Sequence, residues 1–250
     1  MRHRVELRGD DEIGLLSSAG AAVAAALTDV SGRILPGVFP ADLERAAVAS
    51  LTECGAAPAV PIPGGGARAL SLSRNDVVCG GPPAGEWLRA GELVTVECAA
   101  SVAGWCAWSA LGTSVGVPAE SDLRLTETAA EALRSGIAAV SVGNRLGEVA
   151  HAIGVVARGA GCGMPVGCGY GIGRRVCEGP VVPAPGKRST GVALRPGLVF
   201  TVAAGVCDSG SDEGVRGQDG VVTTGDGSRA CVFGHTVAVT RWGPRVLTSS

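Results

Sequence analysis

The sequence predicts an α+β fold of two similar halves, with helices laid on an antiparallel sheet. Three observations carry this expectation. Each half runs two helix-patterned segments and then several strand-patterned ones, an order that argues against alternating βαβ units and a parallel sheet. The segment Gly91-Glu92-Leu93-Val94-Thr95-Val96 is echoed by Gly197-Leu198-Val199-Phe200-Thr201-Val202. Finally, 250 residues, 46% of them apolar, are enough to bury roughly 70 to 75% of the unfolded surface without a staple. Two such halves bury their helix faces on a shared sheet and leave a cleft near the pseudo-twofold axis. We expect one domain over residues 1–250, with halves of about 10–125 and 126–250.

Helical spacing of apolar residues from Asp11 to Leu27, behind an acidic first turn, predicts the first helix. Pro36-Gly37 closes it, and Ala41 to Cys54 forms a second. After a Pro/Gly-rich link from Pro58 to Gly66, strands are expected at Ala69 to Leu72, Val77 to Cys79, Leu93 to Ala100 and Trp105 to Leu111. The second half places helices at Ala129 to Val140 and Leu146 to Arg158, separated by the turn Val142-Gly143-Asn144. Its strands fall at Leu198 to Val206, Val221 to Thr224, Cys231 to Val239 and Arg245 to Leu247.

A net charge of −2 and the absence of a basic run argue against nucleic acid as a partner. The N-terminus carries both signs of charge, and the apolar run from Ala19 to Leu27 is too short and too late for a signal peptide or membrane span. A cytoplasmic protein without membrane contact is expected. Nine cysteines, an odd number with no C-x-x-C pair, then read as reduced thiols rather than a disulfide framework or zinc site.

One thiol stands apart. In Asn75-Asp76-Val77-Val78-Cys79-Gly80-Gly81-Pro82-Pro83, two β-branched residues favour a strand, and the Gly-Gly-Pro-Pro that follows ends it. Cys79 therefore sits at a strand end beside flexible N–H groups, either as a nucleophile or as a small buried apolar residue.

These motifs resemble those of the type I methionine aminopeptidases and their pita-bread fold. The resemblance runs from Asp11 to Thr248, through Asn75 to Pro82, Gly91 to Trp105, Gly143 to Gly147, Cys168 to Arg174, Pro196 to Val202 and Phe233-Gly234-His235-Thr236. It implies an α+β pita-bread fold of two pseudo-symmetric halves. In that family two aspartates, a histidine and two glutamates hold a pair of divalent metals, and oxygen-rich ligation activates water. The matching positions here are Glu97, Trp108, Tyr170, Ala203 and Gly234, and a substrate-side histidine and a second pocket histidine match Gly80 and Cys177. Only Glu97 remains a donor, so the resemblance implies no metal, no cofactor and no metallopeptidase activity.

Cys79, Glu97 and His235 persist, in the chain order of the nucleophile, acid and histidine of the tetramate-forming Dieckmann cyclases, which this chain resembles more loosely. That resemblance implies a metal-independent cyclase acting on a carrier-protein-bound β-ketoacyl-aminoacyl thioester. Cys79 would take the acyl group, His235 would act as base, Glu97 would orient the imidazole, and the Gly80 and Gly81 N–H groups would face the oxyanion. Trp108 and Tyr170 would wall the substrate site, with Ala203 and Gly234 leaving it room. Those cyclases use aspartate where this chain has Glu97.

Strict alternation would aim His235 away from a pocket that Gly234 faces, unless a bulge at the glycine turns it back. His3 lies in a charged terminus and His151 on a helix near Glu148. Cys98, Cys106, Cys168 and Cys231 are rival thiols, whereas Cys54, Cys162, Cys177 and Cys207 read as packing or loop residues. The loop from Ser209 to Gly220 and the segment Pro180 to Thr190 are candidates for a lid or carrier contact. Two other functions compete with the cyclase: a silent pseudo-peptidase that binds a peptide or protein, and a cysteine thioesterase or acyltransferase. The sequence leaves oligomeric state open.

Overall fold

The computed structural model describes residues 5–184 and 186–249; His3 lies outside them. The first half contains α1 (Asp10–Gly32), α2 (Pro40–Glu53), β1 (Ala57–Pro58), β2 (Val60–Pro61), β3 (Ala67–Arg68), β4 (Leu70–Arg74), β5 (Val77–Cys79), β6 (Leu93–Val102) and β7 (Trp105–Ser114). The second contains α3 (Glu120–Ala138), α4 (Leu146–Gly159), β8 (Gly169–Gly171), β9 (Glu178–Val182), β10 (Val199–Cys207), β11 (Gly214–Arg216), β12 (Val222–Thr224), β13 (Ala230–Thr240) and β14 (Gly243–Val246).

The main sheet runs β1-β6-β7-β13-β10-β8-β9, with β4 on β6 and β14 on β13. Its strands pair antiparallel, and β7 meets β13 at Gly234↔Ala110 to join the two halves. One core lies where α1 and α2 cover β4 and β6, and another where α3 and α4 cover β10 and β13. The α+β pita-bread fold expected from the sequence is thus the fold observed.

Helix α1 extends well beyond the Ala19–Leu27 run. By length and composition it is apolar enough to cross a membrane, but its apolar face, including Leu16, Val23 and Val30, is fully buried. It is a core helix lying on β6 and β7. Its N-terminus is closed by Glu12, whose carboxylate accepts the Gly9 N–H at 2.9 Å.

Two differences from the sequence expectation have physical causes. Helix α3 starts at Glu120, nine residues before the expected run, because its buried stripe already begins with Leu125 in the core and with Asp122, which is paired with Arg229. Strand β8, Gly169-Tyr170-Gly171, is absent from the expected strands. A Cβ at Gly169 would stand 1.9 Å from the Thr201 carbonyl oxygen, so the close approach of β8 to β10 requires glycine there.

Candidate active-site pocket

Register fixes which side chains meet. Glu97 pairs with Ala110, Trp108 with Ala99, Gly234 with Ala110 and Ala203 with Gly234. Side chains alternate along each strand, so Glu97, Trp108, Ala203 and Gly234 share one face of the sheet. On that face opens a cavity of about 490 Å³, lined by Glu97, Trp108, Tyr170, Cys79, Gly80, Arg68 and Ser71 among others.

Two buried threonines seat the aromatic walls. Thr236 Oγ1 accepts the Trp108 N–H at 2.9 Å and donates to the Trp108 carbonyl at 2.8 Å. Thr201 Oγ1 treats Tyr170 in the same way, at 3.0 and 3.2 Å. These hydroxyls supply ladder bonds where the strand pairing is sparse. The Trp108 and Tyr170 rings stand with centroids 6.5 Å apart at 53°.

Trp108 and Tyr170 line the cavity, but Ala203 and Gly234 do not. The Trp108 ring lies over Gly234, where a Cβ would approach ring carbon Cζ3 to 2.4 Å. The room left by the two small residues has been taken by the indole, not opened to a ligand.

Cys79 ends β5, as read from the sequence, and is partly open to the cavity. The rest of the expected triad does not assemble. Strands β10 and β13 pair without a bulge through Val202↔His235 and Ala203↔Gly234, so alternation holds and His235 turns to the opposite face. There its Nδ1 meets Thr248 Oγ1 at 2.9 Å and Ser109 Oγ at 3.3 Å. Burial pushes the His235 pKa down. No histidine lines the pocket among the described residues. Without an imidazole, Cys79 is not activated: burial first, then the neighbouring Glu97, push its thiol up to about 12, against the pull of Arg216.

The expected oxyanion donors are also spent. The Gly80 N–H donates to Glu97 Oε2 at 3.0 Å, and the Gly81 N–H donates to Ser73 Oγ at 3.2 Å. Glu97 therefore orients no imidazole; it holds the turn after Cys79. Burial raises the Glu97 pKa, opposed by the Gly80 N–H, Arg68 and Ser71. Tyr170 remains a neutral phenol, pushed up by burial and then by Glu97, Cys177 and Cys79.

Sequence reasoning missed Arg68 and Ser71 as wall residues, whereas Cys177 lines the pocket at the position the resemblance matched to a second pocket histidine. Arg68 ends β3, just past the Pro/Gly-rich link, and its Nη2 donates to Ser71 Oγ at 3.0 Å and the Gly80 carbonyl at 3.1 Å. No spacing in the sequence singles it out. The Ser209–Gly220 loop does reach the pocket, through Arg216, Asp219 and Gly220, whereas the described residues of Pro180 to Thr190 do not line it. Of the rival thiols, Cys98, Cys106, Cys168 and Cys231 are buried away from the cavity.

A pair of divalent cations does not fit the residues present. Among the described residues no three His, Cys, Asp or Glu side chains come together as a metal-holding group. The cavity's two carboxylates, Glu97 and Asp219, form no such group, and the indole occupies the space that an acidic side chain at position 234 would need.

Comparison with known proteins gives the lineage. The model of metallopeptidase family M24 matches residues 14–241. Methionine aminopeptidase 1 of Mycobacterium tuberculosis is 37% identical over 99% of this chain and 96% of its own length. Methionine aminopeptidase A of Synechocystis is 31% identical over 99% of each. The crystal structure of methionine aminopeptidase from Thermotoga maritima superposes with a TM-score of 0.93 at 31% identity, over 99% of this chain and 100% of that one.

These findings overturn the expectation of a metal-independent cysteine cyclase, and with it the tetramate and polyketide reading and the placing of this chain outside the metallopeptidases. The relatives are aminopeptidases along the whole chain. The chain order that suggested a cyclase does not bring the groups together, because Cys79 opens to the cavity from β5 while His235 lies on the face of the main sheet turned away from it. The carrier-bound thioester rested on that reading alone. Sequence and fold together establish that the chain belongs to metallopeptidase family M24, with the pita-bread fold of the methionine aminopeptidases.

Proposed function

We propose that the chain receives the N-terminal residues of a cytoplasmic polypeptide in the pocket of Glu97, Trp108 and Tyr170, and that this pocket has lost the ligands for a metal pair. Methionine is the side chain that the relatives' names point to. The observation that carries the reading is the position of Trp108. A ring and a glycine occupy two facing positions where the resemblance puts metal-binding carboxylates, and the cavity beside them remains open.

The chain's own groups suit a peptide end. The cavity has apolar walls in Val60, Ile62, Trp108, Tyr170 and Val176, acidic groups in Glu97 and Asp219, and basic groups in Arg68 and Arg216. Such a mixture of apolar surface and a few convergent polar groups is typical of a ligand site. Glu97 is held in place by the Gly80 N–H.

The test is binding of a fluorescein-labelled peptide beginning Met-Ala-Ser, followed by anisotropy with and without EDTA, alongside metal analysis of protein dialysed against Mn²⁺. Saturable binding that EDTA leaves unchanged, with no metal pair retained, is expected. Absence of binding to any such peptide would overturn the peptide site. Two retained ions per chain, or methionine release that rises with Mn²⁺, would overturn the ligand loss.

A further inference from the structure

Glu97 presents an unusual electrostatic situation. Its Oε2 accepts the Gly80 N–H, and it takes part in no ion pair among the described residues. The nearby Arg68 guanidinium is turned to Ser71 and to the Gly80 carbonyl, and Arg216 Nη1 donates to the Gly220 carbonyl at 3.1 Å. An anionic oxygen beside apolar walls and without a bonded cation favours a cationic ligand.

The rings supply the rest of such a site. Trp108 and Tyr170 both line the cavity, and with centroids 6.5 Å apart a cation can lie within about 6 Å of both, the range of cation–π attraction. The backbones of both are fixed by the threonine hydroxyls, so the wedge between the rings is set before a ligand arrives. Trp108 is only 5% exposed and Tyr170 is half-buried, which keeps water from competing strongly for the cation.

We propose that the pocket binds its ligand's terminal amine as an intact ammonium ion, held by the Glu97 carboxylate and the rings of Trp108 and Tyr170, and that it accepts N-methylated and quaternary ammonium groups. The inference rests on the peptide-site reading above. It gives the two aromatic replacements a common purpose: they stand where the resemblance puts metal ligands and turn a site for inorganic cations into one for an organic cation. The distinction is chemical. An amine bound to a metal must offer a lone pair, and a quaternary ammonium has none; an aromatic wall with a carboxylate needs only the charge.

The experiment titrates the protein by calorimetry with three forms of one Met-Ala-Ser amide peptide: free amine, Nα-trimethylated and Nα-acetylated. The free and trimethylated forms are expected to bind within about threefold of each other, and the acetylated form about tenfold or more weaker. Glu97→Gln keeps an acceptor for the Gly80 N–H, so it is expected to fold. It should weaken the two cationic forms about ten- to hundredfold and leave the acetylated form unchanged. Acetylated peptide binding as tightly as the free amine would overturn the ammonium inference while leaving the peptide site standing. A trimethylated form no better than the acetylated one would overturn it as well. If none of the three binds, the peptide site and the inference built on it both fall.

Discussion

The Trp108 ring on β7 lies so closely over Gly234 on β13 that any side chain at position 234 collides with the indole. The two positions are therefore coupled, and position 234 cannot take an acidic side chain while the indole stays. Gly234→Ala is expected to destabilise the protein by about 1–3 kcal/mol through overpacking. In a Trp108→Leu background the same change should cost close to nothing, because the ring carbons it meets are gone. A double-mutant cycle measured by urea denaturation checks this, and additive effects would show that the indole has room to move.

Thr236 is the hinge on which Trp108 is seated, because one buried hydroxyl serves both backbone groups of that residue. Thr236→Val preserves shape and strands a buried N–H. A loss of about 1–3 kcal/mol is expected, together with weaker binding of the cationic peptide. Denaturation paired with the peptide titration separates a stability effect from loss of ring placement.

Cys79 is a poor nucleophile in this environment. With its thiol pushed up to about 12, the thiolate that alkylating agents require is scarce at neutral pH. Iodoacetamide at pH 7.5 is expected to label the exposed Cys54 and Cys177 and leave Cys79 intact, with Cys79 labelling rising only as pH climbs toward 12. Peptide mapping by mass spectrometry reads the order. Cys79 labelled first would mean an activating partner exists.

Much of this was legible in the chain. The β-branched pair Val77-Val78 and the glycine turn placed Cys79 at the end of β5, and the alternation rule already pointed His235 away from Gly234. What misled was chain order: a thiol, an acid and an imidazole on neighbouring strands share a site only if register puts them on one face, and that is decided by pairing partners distant in sequence. Arg68 was invisible for a related reason, since its role depends on where the Pro/Gly-rich link folds back over β4. The filling of the space over Gly234 by Trp108 needed side-chain volume in three dimensions, and no spacing encodes that.

His235 should matter for stability and not for the pocket. Burial lowers its pKa, so below the ordinary value of 6.5 the unfolded chain binds a proton that the native state resists. Its contribution is present above 6.5 and is lost as pH falls through the lower folded value. His235→Gln is expected to flatten the loss of melting temperature on acidification from pH 7 and to leave peptide affinity within about twofold, since the ring lies off the cavity face. A large affinity change would place the imidazole in the site after all.

Glu97 should act in the opposite sense. Its carboxyl is raised above 4.5 by burial, so just above that pH the native state holds a proton that the unfolded chain has released. Fewer protons bound in the unfolded state means that stability falls as pH rises through this window, and the penalty is complete above the folded value. Glu97→Gln removes the titration while still accepting the Gly80 N–H, so the variant should match the wild type near pH 4 and exceed it increasingly as pH rises. Melting temperatures of both proteins from pH 4 to 8 test this, and taking their difference cancels every other titrating group. A cationic peptide should shrink the difference at neutral pH, because it provides the compensating charge that the free pocket lacks. A variant less stable than the wild type at pH 7 without ligand would mean that the Gly80 N–H and Arg68 together more than offset the desolvation of the carboxylate.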